Sequence, residues 1–140
     1  MSQENVEIVQ RFYASGPSDL LKAEAQVDQA FCDFLDEDFE VRWPPTWPEG
    51  EQVFRGREGL AELFATLRGS WAEWRVQPER FLDAGDRVVV YVRMRARGAA
   101  SGAEIEFERA QVWSFRGDRA TSMRIYVDRS EALETVGLRD

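Results

Sequence analysis

A chain of 140 residues, 44% of them apolar, is long enough to bury one core without staples, and a net charge of −8 argues against the clustered basic face that a nucleic-acid groove needs. A single cysteine, Cys32, rules out an internal disulfide and a zinc knuckle. The absence of histidine removes every mechanism built on an imidazole, from Ser-His-Asp hydrolysis to His-ligated metal, and leaves carboxylates, Tyr, Arg or ordered water to carry any chemistry.

The opening "MSQENVEIV" is polar and acidic, unlike a secretion signal, and no apolar run reaches bilayer-spanning length. The expectation is a cytoplasmic single domain over 1–140, away from membranes, with no cofactor and no metal. Ser2 can cap a helix carrying Val6, Val9, Phe12 and Tyr13 at helical spacing. "SGPSD" (15–19) interrupts it. From Asp19 to Asp36 the set Leu20, Ala23, Val27, Ala30, Phe31, Phe34 and Leu35 predicts a second helix, with Cys32 inside it as a small buried hydrophobe.

"FEVRWP" (39–44) alternates as a short strand ended by "PPTWPEG". Leu60, Leu63, Phe64, Leu67 and Trp71 then mark a third helix, opened near Gly56. Its "RGREGL" start looks like a phosphate-cradling turn, but it lacks the spacing and lysine of a P-loop and reads as a helix start. Four strands follow over 75–84, 87–97, 104–116 and 119–127, with Pro78 marking an edge or a bulge in the first. A last helix, 129–136, ends at Gly137. The order ααβαββββα predicts an α+β fold with helices on one face of an antiparallel sheet.

Charge fixes one register. Arg93, Arg95 and Arg97 share a face of one strand, and Glu104, Glu106 and Glu108 share a face of the next. Pairing 93 with 108, 95 with 106 and 97 with 104 sets opposite charges across from each other and leaves "GAASGA" as the turn. That face is assigned to solvent or to a partner subunit. The other face carries Val88, Val90, Val92, Met94 and Ala96 against Ile105, Phe107, Arg109, Gln111 and Trp113, and should lie under the helices.

Arg109 and Gln111 do not suit an apolar face, because a buried guanidinium or amide needs partners. Either Arg109 pairs with a carboxylate of the 36–40 turn and Gln111 with backbone, or the two form the polar floor of a pocket. In the last strand apolar content places Met123, Ile125 and Val127 toward the core. Asp128 then points away from it and, with Glu131 three residues on, forms a capping box rather than a catalytic base.

The helix pair, "FEVRWPP", "FRGREGL", four strands and a terminal "YVDRSEAL" resemble the SnoaL-like proteins of the NTF2-like superfamily, which includes ketosteroid isomerase and limonene epoxide hydrolase. The resemblance covers nearly the whole chain. It implies a cone, a curved antiparallel sheet wrapped on helices around a central pocket, often as a homodimer across the outer sheet face. The catalytic positions do not carry over. The isomerase's general-base Asp matches Trp43, its oxyanion-hole Tyr matches Phe12 (with Tyr13 beside it), and its oxyanion-hole Asp matches Gln111. The hydrolase's last-strand Asp matches Ile125, and its Arg and second Asp fall near Val92 and Met94. The acid that SnoaL cyclases keep in the pocket has no counterpart on the four later strands.

Three readings follow. One is a largely apolar pocket for a small molecule, walled by Phe12, Tyr13, Trp43 and Trp47, floored by Arg109, Gln111 and Trp113, and bordered by Met123 and Ile125. The second is an isomerase, cyclase or hydrolase in which Arg109 and Gln111 stabilise an oxyanion, with a loop carboxylate or water as base. The third is a homodimeric interaction module whose pocket is filled by its own side chains. Pocket volume separates the third from the first two.

Overall fold

A computed structural model describes residues 2–44 and 52–138. Trp47, expected at the pocket wall, lies outside the described residues. The elements run α1 (Ser2–Ala14), a 3-10 turn (Leu20–Lys22), α2 (Glu24–Asp33), β1 (Leu35–Trp43), β2 (Gln52–Arg55), α3 (Gly56–Ser70), β3 (Trp71–Asp83), β4 (Arg87–Gly98), β5 (Glu104–Arg116), β6 (Arg119–Tyr126) and α4 (Arg129–Thr135). The strands form one six-stranded sheet in the order β2-β1-β6-β5-β4-β3. This is the expected α+β cone, with one addition. β1 pairs with β6 in parallel, so the sheet is mixed rather than wholly antiparallel.

The charge-derived register of β4 and β5 is the observed one. Arg93 faces Glu108, Arg95 faces Glu106 and Arg97 faces Glu104. Arg93 reaches Glu108 at 2.6 Å and Glu106 at 3.3 Å, which places these charges on a solvated lattice. The opposite face of β4 (Val88, Val90, Val92, Met94, Ala96) is buried with Val6 and Val9 of α1, Val27 and Phe31 of α2, and Leu63, Phe64 and Leu67 of α3. Ile105 departs from that assignment. Close to the hairpin turn, it is 44% exposed.

The outer face is not all solvent or partner surface. α4 folds back over one end of it, and Ala132 and Leu133 pack on Val89, Tyr91, Ala110, Val112 and Tyr126 to form a second core. Arg129, at the start of α4, lies over the Tyr91 ring and donates to the backbone carbonyls of Val92 and Arg109 and to Glu79. Asp128 is the N-cap, but its carboxylate accepts from the backbone N–H of Ser130 at 2.8 Å, not of residue 131. Val127 is exposed rather than core-facing because the β6 ladder ends at Tyr126.

Other boundaries shift for identifiable reasons. The helix expected over 19–36 is split. The Asp19 carboxylate caps the 3-10 turn through Leu21 N–H and also accepts from Trp74 N–H of β3, which anchors the turn to the sheet. α2 begins afresh at Glu24 and stops at Asp33, and Leu35 already belongs to β1. Cys32 is exposed, since the buried stripe of α2 is Val27, Ala30 and Phe31. β2 was not expected. It pairs with β1 and leads directly into α3 through Gly56, whose φ of +69° suits a residue without a side chain. Pro78 sits where β3, an edge strand, shifts register against β4, so it is both at an edge and at a bulge. Among the described residues no helix is long and apolar enough to cross a membrane.

Candidate functional site

Between the helices and the concave face of the sheet lies a cavity of about 470 Å³. That volume falls in the range of small-molecule sites, roughly 300–1,000 Å³. It stands against a pocket filled by its own side chains. α1 contributes Phe12 and Tyr13, the end of β1 contributes Trp43, β5 contributes Gln111 and Trp113, and β6 contributes Met123 and Ile125. Each comes from an inward position of the period-2 or helical pattern, so the same alternation that builds the core also builds the walls. Leu60, Leu63 and Phe64 of α3 close one side.

Aromatic rings form much of the wall. Trp113 sits among Phe12, Tyr13, Phe34 and Phe39, with ring centroids 5.7 to 6.4 Å away. Trp43 and Trp74 face each other at 5.8 Å. Such a wall favours a flat or apolar occupant.

Gln111 is the polar centre of this wall and is only 3% exposed. Its side-chain oxygen accepts from the Tyr13 hydroxyl and from Trp113 Nε1, the latter at 3.2 Å. An indole nitrogen can only donate, so this contact fixes which end of the amide is the oxygen. The amide nitrogen is left without a protein partner among the described residues. The expected pairing of Gln111 with backbone is therefore replaced by a side-chain cluster that holds one donor free at the cavity wall. Burial pushes the Tyr13 phenol up from its ordinary value, against smaller opposing effects of Gln111 and Trp113, so Tyr13 remains a protonated donor.

Arg109 does not join Gln111 in the main cavity. It lines a second, smaller cavity of about 70 Å³ with Trp43, Pro44, Trp74, Met94, Phe107 and Ile125. Its guanidinium lies 4.4 Å from the Phe107 ring centroid and donates to the Glu108 carbonyl at 2.7 Å. Partial burial lowers its pKa from the ordinary arginine value. The pairing expected with the 36–40 turn does not form because those acids are taken. Asp36 holds Arg116 at 2.5 Å, and Glu40 holds Arg42 at 2.7 Å and Arg55 at 3.1 Å.

No carboxylate is found among the described residues that line either cavity. No group of three or more His, Cys, Asp or Glu among them is placed to hold a metal. Trp74 and Asp19 are among the residues that sequence reasoning did not connect with the cavities. Trp74 lines both cavities, yet its strand was expected to begin at residue 75, whereas it begins at Trp71, which was expected in the third helix. Asp19, 3% exposed, holds Trp74 from outside the wall. Its only sequence signal was its position before an apolar run, where it reads as a cap.

With the geometry in view, comparison with known proteins places the chain. The SnoaL-like domain matches residues 19–123. No curated protein matches the chain in sequence. Among solved structures, an NTF2-like protein of unknown function from Burkholderia pseudomallei K96243 is 20% identical, with a TM-score of 0.68 over 96% of this chain and 98% of that one. TerC, co-crystallized with polyporic acid, is 21% identical, with a TM-score of 0.71 over 95% and 98%. A protein with a ketosteroid isomerase-like fold from Catenulispora acidiphila DSM 44928, in complex with trimethylamine, is 16% identical, with a TM-score of 0.64 over 96% and 93%. At these identities the likeness is one of fold.

Proposed function

The chain belongs to the SnoaL-like domain family, and within it we propose that the 470 Å³ cavity binds a small, largely apolar molecule bearing a hydrogen-bond acceptor for the Gln111 amide. The observation that carries this reading is the Gln111 amide nitrogen, which has no protein partner among the described residues and sits on a cavity wall rich in rings and aliphatic side chains. An acceptor on a bound molecule would give this donor a hydrogen bond sheltered from bulk water. The Trp113 contact holds the amide in the orientation that keeps the N–H free. Small molecules held by TerC and by the Catenulispora protein support the use of this fold for ligands.

Binding is favoured over catalysis by two features. Proton transfer needs a positioned base, and none of the described lining residues is a carboxylate. Oxyanion stabilisation by Arg109 and Gln111 together needs both to converge on one oxygen, whereas the two line different cavities. We further propose a homodimer across the charged end of the outer sheet face, where Arg93 and Arg95 meet Glu106. Light scattering at two salt concentrations tests it, with dissociation expected at high salt.

The test of ligand binding is calorimetric titration with 2-acetylnaphthalene, a flat apolar ketone. The wild type is expected to bind it in a one-to-one complex. Gln111→Leu, which keeps the bulk and deletes the donor, is expected to bind about tenfold more weakly. Absence of saturable binding to the wild type would overturn the proposal.

A further inference from the structure

The small cavity that Arg109 shares with Trp74 is not explained by an apolar ligand alone. Trp74 is 5% exposed, and its indole N–H has no hydrogen-bond partner among the described residues. Arg109 carries a permanent charge and five N–H donors, of which one is committed, to the Glu108 carbonyl. No carboxylate among the described residues lies within ion-pair distance of it. The neighbouring arginines are treated differently. Arg93 is held by Glu79, Glu106 and Glu108, and Arg129 by Glu79 and Glu108. A partly buried cation with donors to spare and a buried indole N–H without a partner border one cavity, a pattern that folds rarely leave unanswered.

We infer that this cavity is an anion subsite, built to take the carboxylate of an apolar acid whose body occupies the main cavity. The inference rests on the main cavity being a ligand site. Size agrees with the assignment. One water takes about 30 Å³ of liquid, so 70 Å³ admits a group of two or three heavy atoms and not a ring. Placement agrees as well. Trp43, Trp74, Met94 and Ile125 border both cavities, so a group in the small one lies a single side chain away from a body in the large one. The Phe107 ring holds the guanidinium plane from one side and leaves its edge N–H groups to bond in plane. A neutral carbonyl would satisfy Trp74 and leave the charge of Arg109 without a counter-charge. A carboxylate answers both, and the apolar walls strengthen each bond.

The test pairs 2-naphthoic acid with 2-acetylnaphthalene, which share a ring system and differ in charge, by calorimetric titration at neutral pH. The wild type is expected to bind the acid about tenfold more tightly than the ketone. Arg109→Met is expected to abolish that preference by weakening the acid about tenfold more than the ketone. Trp74→Phe, which keeps a ring and deletes the N–H, is expected to weaken the acid more than the ketone. It also serves if Arg109→Met does not fold. Equal affinity of the wild type for the two compounds, or equal losses for both in the variants, would overturn the subsite and leave the main cavity as a ligand site. Failure of both compounds to bind the wild type would overturn the ligand reading and the subsite with it.

Discussion

Replacing Gln111 with leucine tests whether the Tyr13–Gln111–Trp113 cluster holds the cavity wall together. The leucine removes the acceptor of two donors at once. Trp113 is 3% exposed and its indole N–H would lose its acceptor, and an orphaned buried donor costs about 1–3 kcal/mol. Tyr13 borders the cavity, where water can replace the lost acceptor, so its loss is about 1 kcal/mol. Against this, leucine avoids the cost of burying a carboxamide, about 1 kcal/mol at the low end of the mutational range. The net destabilisation comes to about 2 kcal/mol. For a domain of this size that is a fall of roughly 8 °C in Tm. Thermal unfolding followed by circular dichroism reads it directly. A double-mutant cycle with Tyr13→Phe should give a coupling energy of about 1 kcal/mol, since the hydroxyl and the amide are direct partners. A Gln111→Leu protein as stable as the wild type would refute the reasoning, because it would mean that neither donor depends on this oxygen.

Tyr13 also predicts an alkaline effect. Its phenol is raised in the folded state, so folding retains a proton that the unfolded chain releases. The associated stability is complete below about pH 10 and is lost as the pH rises above it. Wild type should therefore lose stability between pH 9 and pH 11 more steeply than Tyr13→Phe in urea titrations, and parallel curves would contradict this. Asp19→Ala should cost about 2 kcal/mol by chemical denaturation, one part for the cap at Leu21 and one for the Trp74 N–H left without its acceptor. Asp128→Ala removes only the cap on Ser130 at an exposed helix start and should cost about 1 kcal/mol, with ligand affinity unchanged in the same titrations.

The legible parts of the fold were those fixed by periodicity and by paired charge. β4 and β5 carry alternating apolar residues on one face and opposite charges on the other, and only one register satisfies both, so each partner could be named from sequence. The inward parity of β6 followed in the same way, and it placed Met123 and Ile125 on the cavity wall. β2 was not legible because four residues cannot establish an alternation, and its partner strand is closer in space than its turn composition suggests. The split before α2 was hidden for a different reason. The apolar spacing from Leu20 to Leu35 suits one long helix, and the chain breaks it because Asp19 is bonded to Trp74, a residue 55 positions away. α4 on the outer face is likewise a tertiary choice, made by the apolar patch of Val89, Tyr91 and Val112 that a strand-by-strand reading leaves to solvent.

The separation of Arg109 from Gln111 shows where pattern reasoning stops. Two residues apart on one strand face, they share parity, so sequence can only place them together. What divides them is the ring of Phe107 and the amide cluster at Trp113. Phe107 draws the guanidinium along its own strand, and Trp113 and Tyr13 draw the carboxamide the other way. Neither choice is encoded in spacing; both depend on which neighbour offers a better surface once the sheet is closed. The one expected polar floor thus divides between two cavities, with Gln111 on the wide one and Arg109 on the narrow one. Each residue's role follows from the company it keeps rather than from its place in the alternation.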